Sequence, residues 1–266
     1  MNIYMRVKNI RGHFIDALNN KEFVTDRTGQ KTIELLGASF IADEDAIFGT
    51  PNLSYISREL QWYESQSTNI KDIDINPPKA WVATANEHGE INSNYGLLIH
   101  SEKYHNQFNH AMHELVKNPD SRRATVIYNR PSIWLEYNEN GKNDFICTNA
   151  VTYYIRDNKV HCVVQMRSND VVFGYKNDYA WQLHTLHSAA YVLGKRIGTI
   201  TWQVQNLHVY ERHFDLVKHV EEPVPSIQKS IDEATPREWT EASRRHSNHY
   251  YDINRNRSFE DWKEEK

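Results

Sequence analysis

Cysteine is scarce in this chain, and long apolar runs are missing altogether. The 266 residues include two cysteines, Cys147 and Cys162, too few for a disulfide framework. The longest apolar stretches, such as residues 124–127, are far too short to cross a bilayer, and nothing resembles a cleavable signal. The sequence therefore predicts neither a disulfide-rich secreted protein nor a membrane protein, and we expect a cytoplasmic location.

A large excess of charge of either sign is missing as well. The net charge of −4 and the isoelectric point near 6.4 argue against extensive nucleic-acid binding. Aromatic residues, by contrast, are abundant, with 7 tryptophans and 15 tyrosines. A chain of this length can bury a sizeable core, and the composition predicts an α+β domain with an aromatic-lined pocket.

Hydrophobic periodicity predicts alternating helices and strands over the first 220 residues. Helices are expected over residues 11–20, 57–65, 104–117, 178–193 and 210–220. Strands are expected over residues 31–42, 124–129, 150–156, 160–166 and 199–205. Ser57 is the predicted N-cap of the second helix, and residues 157–159 predict a tight hairpin.

The composition changes after residue 221, where the chain becomes polar and is interrupted by prolines. Thr235 and Ser258 each begin a helix-capping pattern, which predicts short helices carrying Trp239 and Trp262. We therefore divide the chain into a main domain, residues 1–220, and an appended tail, residues 221–266.

Cys147 has the clearest chemical signature in the chain. It follows a polar Gly-Lys-Asn-Asp turn, whereas Cys162 lies among the apolar residues of a predicted strand, which is typical of a core thiol. Arg167 follows on the next predicted strand, and a thiol beside an arginine can be held as the nucleophilic thiolate. Asp178 could read the hydrogen-bonding edge of a ring placed over that thiol. The combination indicates covalent catalysis on a pyrimidine.

Arginine and glutamate side chains extend this hypothesis. Arg27, Arg167 and the pair Arg122-Arg123 could converge on a phosphate, since arginine binds phosphate through two parallel hydrogen bonds. A solvated surface is the simpler explanation of an arginine pair beside a turn. Glu59 lies in an otherwise aromatic and apolar helix, where burial would raise its pKa and make it a proton shuttle.

The fourteen histidines invite a metal-site interpretation. The candidate pairs are His184 with His187 and His246 with His249. Neither pair has a thiolate or a carboxylate at a supporting spacing, so we expect no metal.

Seven segments, in unbroken order from about residue 10 to about residue 220, resemble the thymidylate synthase superfamily and, within it, the phage-type deoxycytidylate hydroxymethylases. The segments are Asp26-Arg-Thr-Gly29, Glu59-Leu-Gln-Trp62, Asn94-Tyr-Gly96, Asp120-Ser-Arg-Arg123, Cys147, Arg167-Ser-Asn-Asp170 and Asn206-Leu-His-Val-Tyr210. One such match would be weak, but seven in order are specific. The resemblance implies an α+β fold with a large mixed β-sheet, helices on one face and homodimerisation through the other face.

The resemblance also implies roles for the matching residues at the nucleotide. Cys147 would be the nucleophile that adds to pyrimidine C6. The implied nucleotide-binding residues are Arg27, Arg167, Ser168 and Asn169, with His208 and Tyr210 at the deoxyribose hydroxyl. Arg122 and Arg123 would reach the phosphate bound by the other subunit of the homodimer.

A folate co-substrate, 5,10-methylenetetrahydrofolate, follows from the same resemblance. The residues implied to contact it are Asp170, Trp81 and Tyr95. Glu59 would position water and move protons, with Tyr95 in the same network.

Asp178 bears on which pyrimidine is bound. Cytosine presents an acceptor at N3 and a donor at its amino group, and a carboxyl group that shares a proton with N3 matches both. Facing uracil, a carboxylate would set its acceptor oxygen against the acceptor O4. An unpaired buried polar group costs about 1–3 kcal/mol, which corresponds to a preference of about ten- to a hundredfold for deoxycytidylate over deoxyuridylate. We therefore expect a deoxycytidylate 5-hydroxymethyltransferase that adds water after one-carbon transfer and releases tetrahydrofolate.

Several alternatives stay open on the residues alone. A dUMP hydroxymethylase, a thymidylate synthase or a CMP hydroxymethylase would use the same nucleophile. A non-catalytic relative could instead bind nucleotides and scaffold other nucleotide-synthesis enzymes through its tail, although such a protein has no need of the thiol. Nucleic-acid binding through the arginine-rich tail is a weaker alternative. Synthesis of a modified cytosine suggests a virus, which would place the protein in the host cytoplasm.

Overall fold

Six strands form one mixed sheet in the computed structural model, which describes residues 5–218. The strands are β1 (Val24–Thr25), β2 (Lys31–Ile41), β3 (Thr125–Ile127), β4 (Thr148–Arg156), β5 (Lys159–Asp170) and β6 (Arg196–Tyr210). Their order in the sheet is β1-β2-β6-β5-β4-β3. β5 and β6 run parallel, and the other neighbouring pairs are antiparallel. The predicted mixed sheet and α+β class are confirmed.

Helices flank this sheet. They are α1 (Val7–Asn19), α2 (Leu53–Ser65), α3 (Lys79–Thr84), α4 (Tyr95–His100), α5 (Gln107–Lys117), α6 (Ile133–Glu136), α7 (Gly174–Leu193) and α8 (Phe214–Lys218). α7 packs on β5 and β6, α5 on β3 and β4, and α1 on β2. Within residues 5–218 no helix is long and apolar enough to cross a membrane. The predicted tail, including Trp239 and Trp262, lies outside the described residues.

Burial alternates along the central strands. In β5 the side chains of Cys162, Val164 and Met166 are buried, whereas Gln165 between them is exposed. β6 repeats the pattern with buried Ile200, Trp202 and Val204. Such alternation is typical of a sheet with one face packed on the core and the other less covered. Use of the less covered face for homodimerisation stays a prediction.

The β4–β5 hairpin sets the register that builds the site. Asp157 and Asn158 have φ angles of 51° and 58°, the left-handed conformations that a two-residue hairpin turn requires. This confirms the predicted turn, and it pairs Arg156 with Lys159. At the far end of the hairpin Thr148 pairs with Met166, so Cys147 lies directly beside the end of β5.

Three helices begin about one turn earlier than the sequence predicts, among them α1, which begins at Val7 rather than at residue 11. α2 begins at Leu53 because the Asn52 side chain caps it by accepting a hydrogen bond from the backbone N–H of Tyr55 at 3.1 Å. Ser57 is therefore inside the helix, and its predicted role as N-cap is wrong. α7 begins at Gly174 rather than near residue 178, which places Asp178 in its second turn. α5 instead begins three residues late, at Gln107, because the two residues before it adopt left-handed conformations.

Aromatic packing joins the helices behind the site. Tyr63 of α2 stacks on Tyr95 of α4, with ring centroids 5.2 Å apart, and also contacts Trp181 of α7 at 5.0 Å. α2 and α4 approach so closely that a Cβ atom on Gly96 would lie 1.8 Å from the Tyr63 carbonyl oxygen. The three helices that carry Glu59, Tyr95 and Asp178 therefore form one packed unit.

Candidate active site

Cys147 lies in the segment immediately before β4 and is half-buried. Arg167 of β5 holds this segment: its backbone N–H donates to the Cys147 carbonyl oxygen at 2.9 Å. Its guanidinium donates to the carbonyl oxygens of Ile146 at 2.9 Å and Phe145 at 2.5 Å, and it lies over the Phe145 ring. One guanidinium nitrogen, Nη2, is 3.5 Å from Cys147 Sγ. The structure thus brings the thiol and the arginine together.

Burial raises the pKa of the Cys147 thiol to about 11. The Arg167 guanidinium lowers this pKa, but by less than burial raises it, and the carboxyl groups of Asp178 and Asp144 raise it further. At neutral pH the unliganded site therefore holds a thiol. Arg167 alone does not maintain the thiolate that the sequence suggested.

Asp144 fixes the cysteine segment from its other side, a role that sequence reasoning missed. Its buried carboxylate accepts hydrogen bonds from the backbone N–H groups of Asn92 and Ser93, each at 2.7 Å, and from the Ser93 hydroxyl at 2.7 Å. These contacts join the Cys147 segment to the chain that leads into α4. The signal in the sequence is slight, an aspartate three residues before the thiol.

Glu59 is buried on the inward face of α2 and accepts two hydrogen bonds through Oε1. The Tyr55 hydroxyl donates at 2.5 Å and the Trp81 indole N–H at 3.1 Å. Burial raises the pKa of Glu59 to about 7, and the two hydrogen bonds lower it only in part. A carboxyl group that titrates near neutral pH can both accept and return a proton. Sequence reasoning missed Tyr55, although its spacing of four residues from Glu59 places both on one helix face.

Asp178 lies in the second turn of α7, half-buried within the same group of side chains. Asn169 Nδ2 donates to Asp178 Oδ2 at 2.8 Å. Burial, followed by the charge of Glu59, raises the pKa of Asp178 to about 8, whereas hydrogen bonds from Asn169 and Tyr95 lower it. The carboxyl group is therefore mostly protonated at neutral pH, and it can donate through one oxygen and accept through the other.

The parallel ends of β5 and β6 bring four of the predicted residues together. Ser168 pairs with Asn206 and Asp170 with His208 across these strands. His208 Nδ1 lies 3.1 Å from Asn206 Oδ1, and the rings of His208 and Tyr210 meet edge to face. Asp170 Oδ1 accepts two backbone N–H groups, at residues 172 and 173, each at 2.7 Å, and so shapes the turn into α7.

The remaining predicted arginines are not beside the thiol. Arg27 is exposed in the turn between β1 and β2, and Arg122 and Arg123 are exposed before β3, with Arg123 Nε 2.9 Å from Glu114. Thr125 pairs with Thr152, so Arg123 lies near the hairpin end of β4, about 20 Å along the strand from Cys147. Only a second subunit could bring these two arginines to an active site.

The histidine pairs show no metal-binding arrangement within the described residues, which contain no cluster of three or more suitable ligands. His184 Nε2 lies 3.1 Å from Glu64. His246 and His249 lie outside the described residues.

Comparison with known proteins places this site in a family. The family model for thymidylate synthase matches residues 13–242. The deoxycytidylate 5-hydroxymethyltransferases of Enterobacteria phages T4 and T2 are each 52% identical over 222 residues, covering 81% of this chain and 90% of theirs. The thymidylate synthase of Corynebacterium aurimucosum is 28% identical over 204 residues, covering 73% of this chain and 74% of its own. The chain therefore belongs to the thymidylate synthase family, which confirms the predicted resemblance.

Proposed function

We propose that this protein transfers a one-carbon unit from 5,10-methylenetetrahydrofolate to C5 of deoxycytidylate and then adds water, giving 5-hydroxymethyl-dCMP and tetrahydrofolate. The observation that carries the proposal is Asp178, a mostly protonated carboxyl group in the same site as Cys147. Such a group can donate to cytosine N3 and accept from the cytosine amino group. The 52% identity to phage enzymes whose name states this activity supports the same substrate.

Covalent activation of the ring is the first chemical step in this proposal. The Cys147 thiol loses its proton to solvent as Sγ adds to C6, and the electron pair of the C5–C6 double bond becomes available at C5. A proton donated by Asp178 to N3 withdraws electrons from the ring and makes C6 a better electrophile. Arg167 and Ser168, with Arg27 from the β1–β2 turn, would bind the phosphate, and His208 and Tyr210 the deoxyribose hydroxyl.

The folate supplies the electrophilic carbon when bound. Trp81 suits the predicted contact with the folate, because its ring is only partly covered while its N–H is held by a hydrogen bond to Glu59. Asp170, at the end of β5, would contact the pterin. Tyr95 is buried under Tyr63, so we assign it an indirect role in place of a contact with the folate. Its hydrogen bond to Asp178 lowers the pKa of that carboxyl group.

Hydration is the step assigned to Glu59. Before this step C5 has bonded to the one-carbon unit, and loss of the C5 proton and of tetrahydrofolate has left an exocyclic methylene group on the ring. The Glu59 carboxylate can take a proton from water as the oxygen adds to this methylene carbon, and Tyr55 and Trp81 hold the carboxylate in place for the transfer. Elimination of the Cys147 thiolate from C6 then restores the aromatic ring. If hydride from tetrahydrofolate reached the exocyclic carbon in place of water, the ring would gain a methyl group, as in a thymidylate synthase, so the water step assigned to Glu59 decides the product.

A homodimer completes the proposed site. Arg122 and Arg123 lie about 20 Å along the strand from Cys147 of their own chain, so their predicted phosphate contact requires the partner subunit. Association of the tail with other nucleotide-synthesis enzymes remains part of the proposal.

Product analysis tests the proposed function. The protein is incubated with methylenetetrahydrofolate and equal amounts of deoxycytidylate, deoxyuridylate and cytidylate, and the products are identified by mass spectrometry. We expect 5-hydroxymethyl-dCMP and tetrahydrofolate. Thymidylate with dihydrofolate would instead establish a synthase, and hydroxymethylated CMP would establish a ribonucleotide enzyme. The Cys147→Ala variant serves as control and should bind nucleotide without turnover.

A further inference from the structure

Asn169 is held between two fixed partners. Its Oδ1 accepts a hydrogen bond from the Trp202 indole N–H at 3.3 Å, and its Nδ2 donates to Asp178 Oδ2 at 2.8 Å. Both Asn169 and Trp202 are buried. A Cβ atom on Gly174 would lie 3.0 Å from Asn169 Nδ2, so α7 begins with a glycine where the amide has little room to spare.

The direction of this chain of hydrogen bonds follows from chemistry. The indole N–H of Trp202 can only donate, so the Asn169 atom facing it has to be the carbonyl oxygen. The amide nitrogen must then face Asp178. Tyr95 also hydrogen-bonds to Asp178, but a hydroxyl group can either donate or accept and so fixes no proton position. Asp178 Oδ2 always meets a donor, the Asn169 amide, so a proton on Asp178 is favoured on the other oxygen, Oδ1.

A neutral carboxyl group by itself does not distinguish cytosine from uracil. With its proton on one oxygen it presents the donor and acceptor that cytosine requires at N3 and the amino group. With its proton on the other oxygen it presents the opposite order, which matches uracil N3–H and O4. Selecting cytosine therefore requires something that fixes which oxygen carries the proton.

We propose that Asn169, oriented by Trp202, is a positioning residue that confines the Asp178 proton to Oδ1 and thereby makes the site select cytosine over uracil. Oδ1–H then donates to N3, and Oδ2 accepts from the amino group. This inference rests on the proposed function, and it differs from a direct contact between Asn169 and the nucleotide because the carbonyl and one N–H of the amide are already engaged by protein groups.

The test is the ratio of kcat/KM for deoxycytidylate to kcat/KM for deoxyuridylate in matched variants. Asn169→Leu removes the amide at nearly constant volume, and Trp202→Phe leaves the amide but removes the donor that orients it. We expect the ratio to fall about tenfold or more in Asn169→Leu and by a smaller factor in Trp202→Phe, because the uracil-matching proton position becomes accessible. The control is Gln182→Met, which removes a buried side-chain amide from α7 and should leave the ratio unchanged.

The outcomes separate this inference from the proposed function. If the wild-type protein forms no 5-hydroxymethyl-dCMP, the proposed function fails. If it does, and both variants keep the wild-type ratio while kcat alone falls, Asn169 is merely structural and the inference is overturned. Should Asn169→Leu fail to fold, an unchanged ratio in Trp202→Phe overturns the inference, and a lowered ratio supports it.

Discussion

Two carboxyl groups share this site and hold their protons differently. Glu59 accepts hydrogen bonds from Tyr55 and Trp81, which favour its charged form and leave its pKa at about 7. Asp178 is desolvated by burial and also lies in the field of Glu59, so its pKa rises to about 8. Two donors thus favour the charged form of Glu59, whereas the charge of Glu59 opposes a second charge on Asp178, so Asp178 is the group that keeps its proton. Environments that separate two such groups in this way are typical of an acid and a base acting in one reaction.

Replacing Tyr55 with phenylalanine tests the role of Glu59. The Tyr55 hydroxyl lowers the pKa of Glu59, so its loss should raise that pKa. If the Glu59 carboxylate activates water, the acidic limb of the kcat profile will move to higher pH, which the pH dependence of product formation measures. Tyr154→Phe, on the far half of β4, is the control and should leave the profile in place. An unshifted limb in Tyr55→Phe would remove Glu59 from the water step.

Residues with a distinct chemistry were predictable from the sequence, whereas their partners were not. Cys147, Arg167, Glu59 and Asp178 could be selected because a thiol or a charge in a mixed strand-and-helix context is unusual. Tyr55 was missed because it was expected before the start of its helix. The state of Cys147 also escaped prediction, since burial outweighs the neighbouring arginine and burial is not visible in a sequence.

At the scale of elements, the close approach of α2 and α4 determines where Glu59 and Tyr95 lie. A methyl group on Gly96 would lie 1.8 Å from the Tyr63 carbonyl oxygen, which belongs to backbone and cannot rotate away. The two helices would have to separate, and the aromatic stack between Tyr63 and Tyr95 would separate with them.

Gly96→Ala should therefore destabilise the protein by about 3 kcal/mol, the upper end of the range for overpacking, as measured by urea denaturation. Gly12→Ala is the matched control: Gly12 lies in α1 with no atom within 4 Å of the added methyl group, so this change should stabilise by about 0.5–1 kcal/mol. Equal effects of the two substitutions would show that the close packing of α2 on α4 contributes nothing particular to stability.

The order of the longer elements followed from periodicity, but their starting points did not, and the short helices α3, α4 and α6 were not predicted. Strands β4 and β5 and their turn were predicted because alternation and an Asp-Asn pair are strong local signals. The start of α2 depends on one side chain, Asn52, acting as a cap, and the start of α7 on a glycine that packs against Asn169. Such contacts become evident only once the tertiary structure brings the groups together.

At the scale of the whole molecule, the positions of Arg122 and Arg123 predict a site shared between two subunits. The test mixes Cys147→Ala with the double variant Arg122→Ala/Arg123→Ala and lets the subunits exchange in mild denaturant. The mixture would contain mixed dimers, each with one intact site. With random exchange about one quarter of wild-type activity should return, although each variant alone is nearly inactive. If the activity of the mixture equals the sum of the activities of the two variants measured separately, each chain forms its site without the other subunit.

Selection of cytosine by the Asp178 carboxyl group is the central claim, and one competition experiment tests it most directly. Wild-type protein and the double variant Asp178→Asn/Asn169→Leu are each given equal deoxycytidylate and deoxyuridylate with methylenetetrahydrofolate, and the hydroxymethylated products are quantified by mass spectrometry. The wild-type protein should convert deoxycytidylate preferentially. The double variant should reverse this preference, because an amide no longer oriented by Asn169 can turn to donate to O4 and accept from N3–H. A variant that still prefers deoxycytidylate would contradict the account.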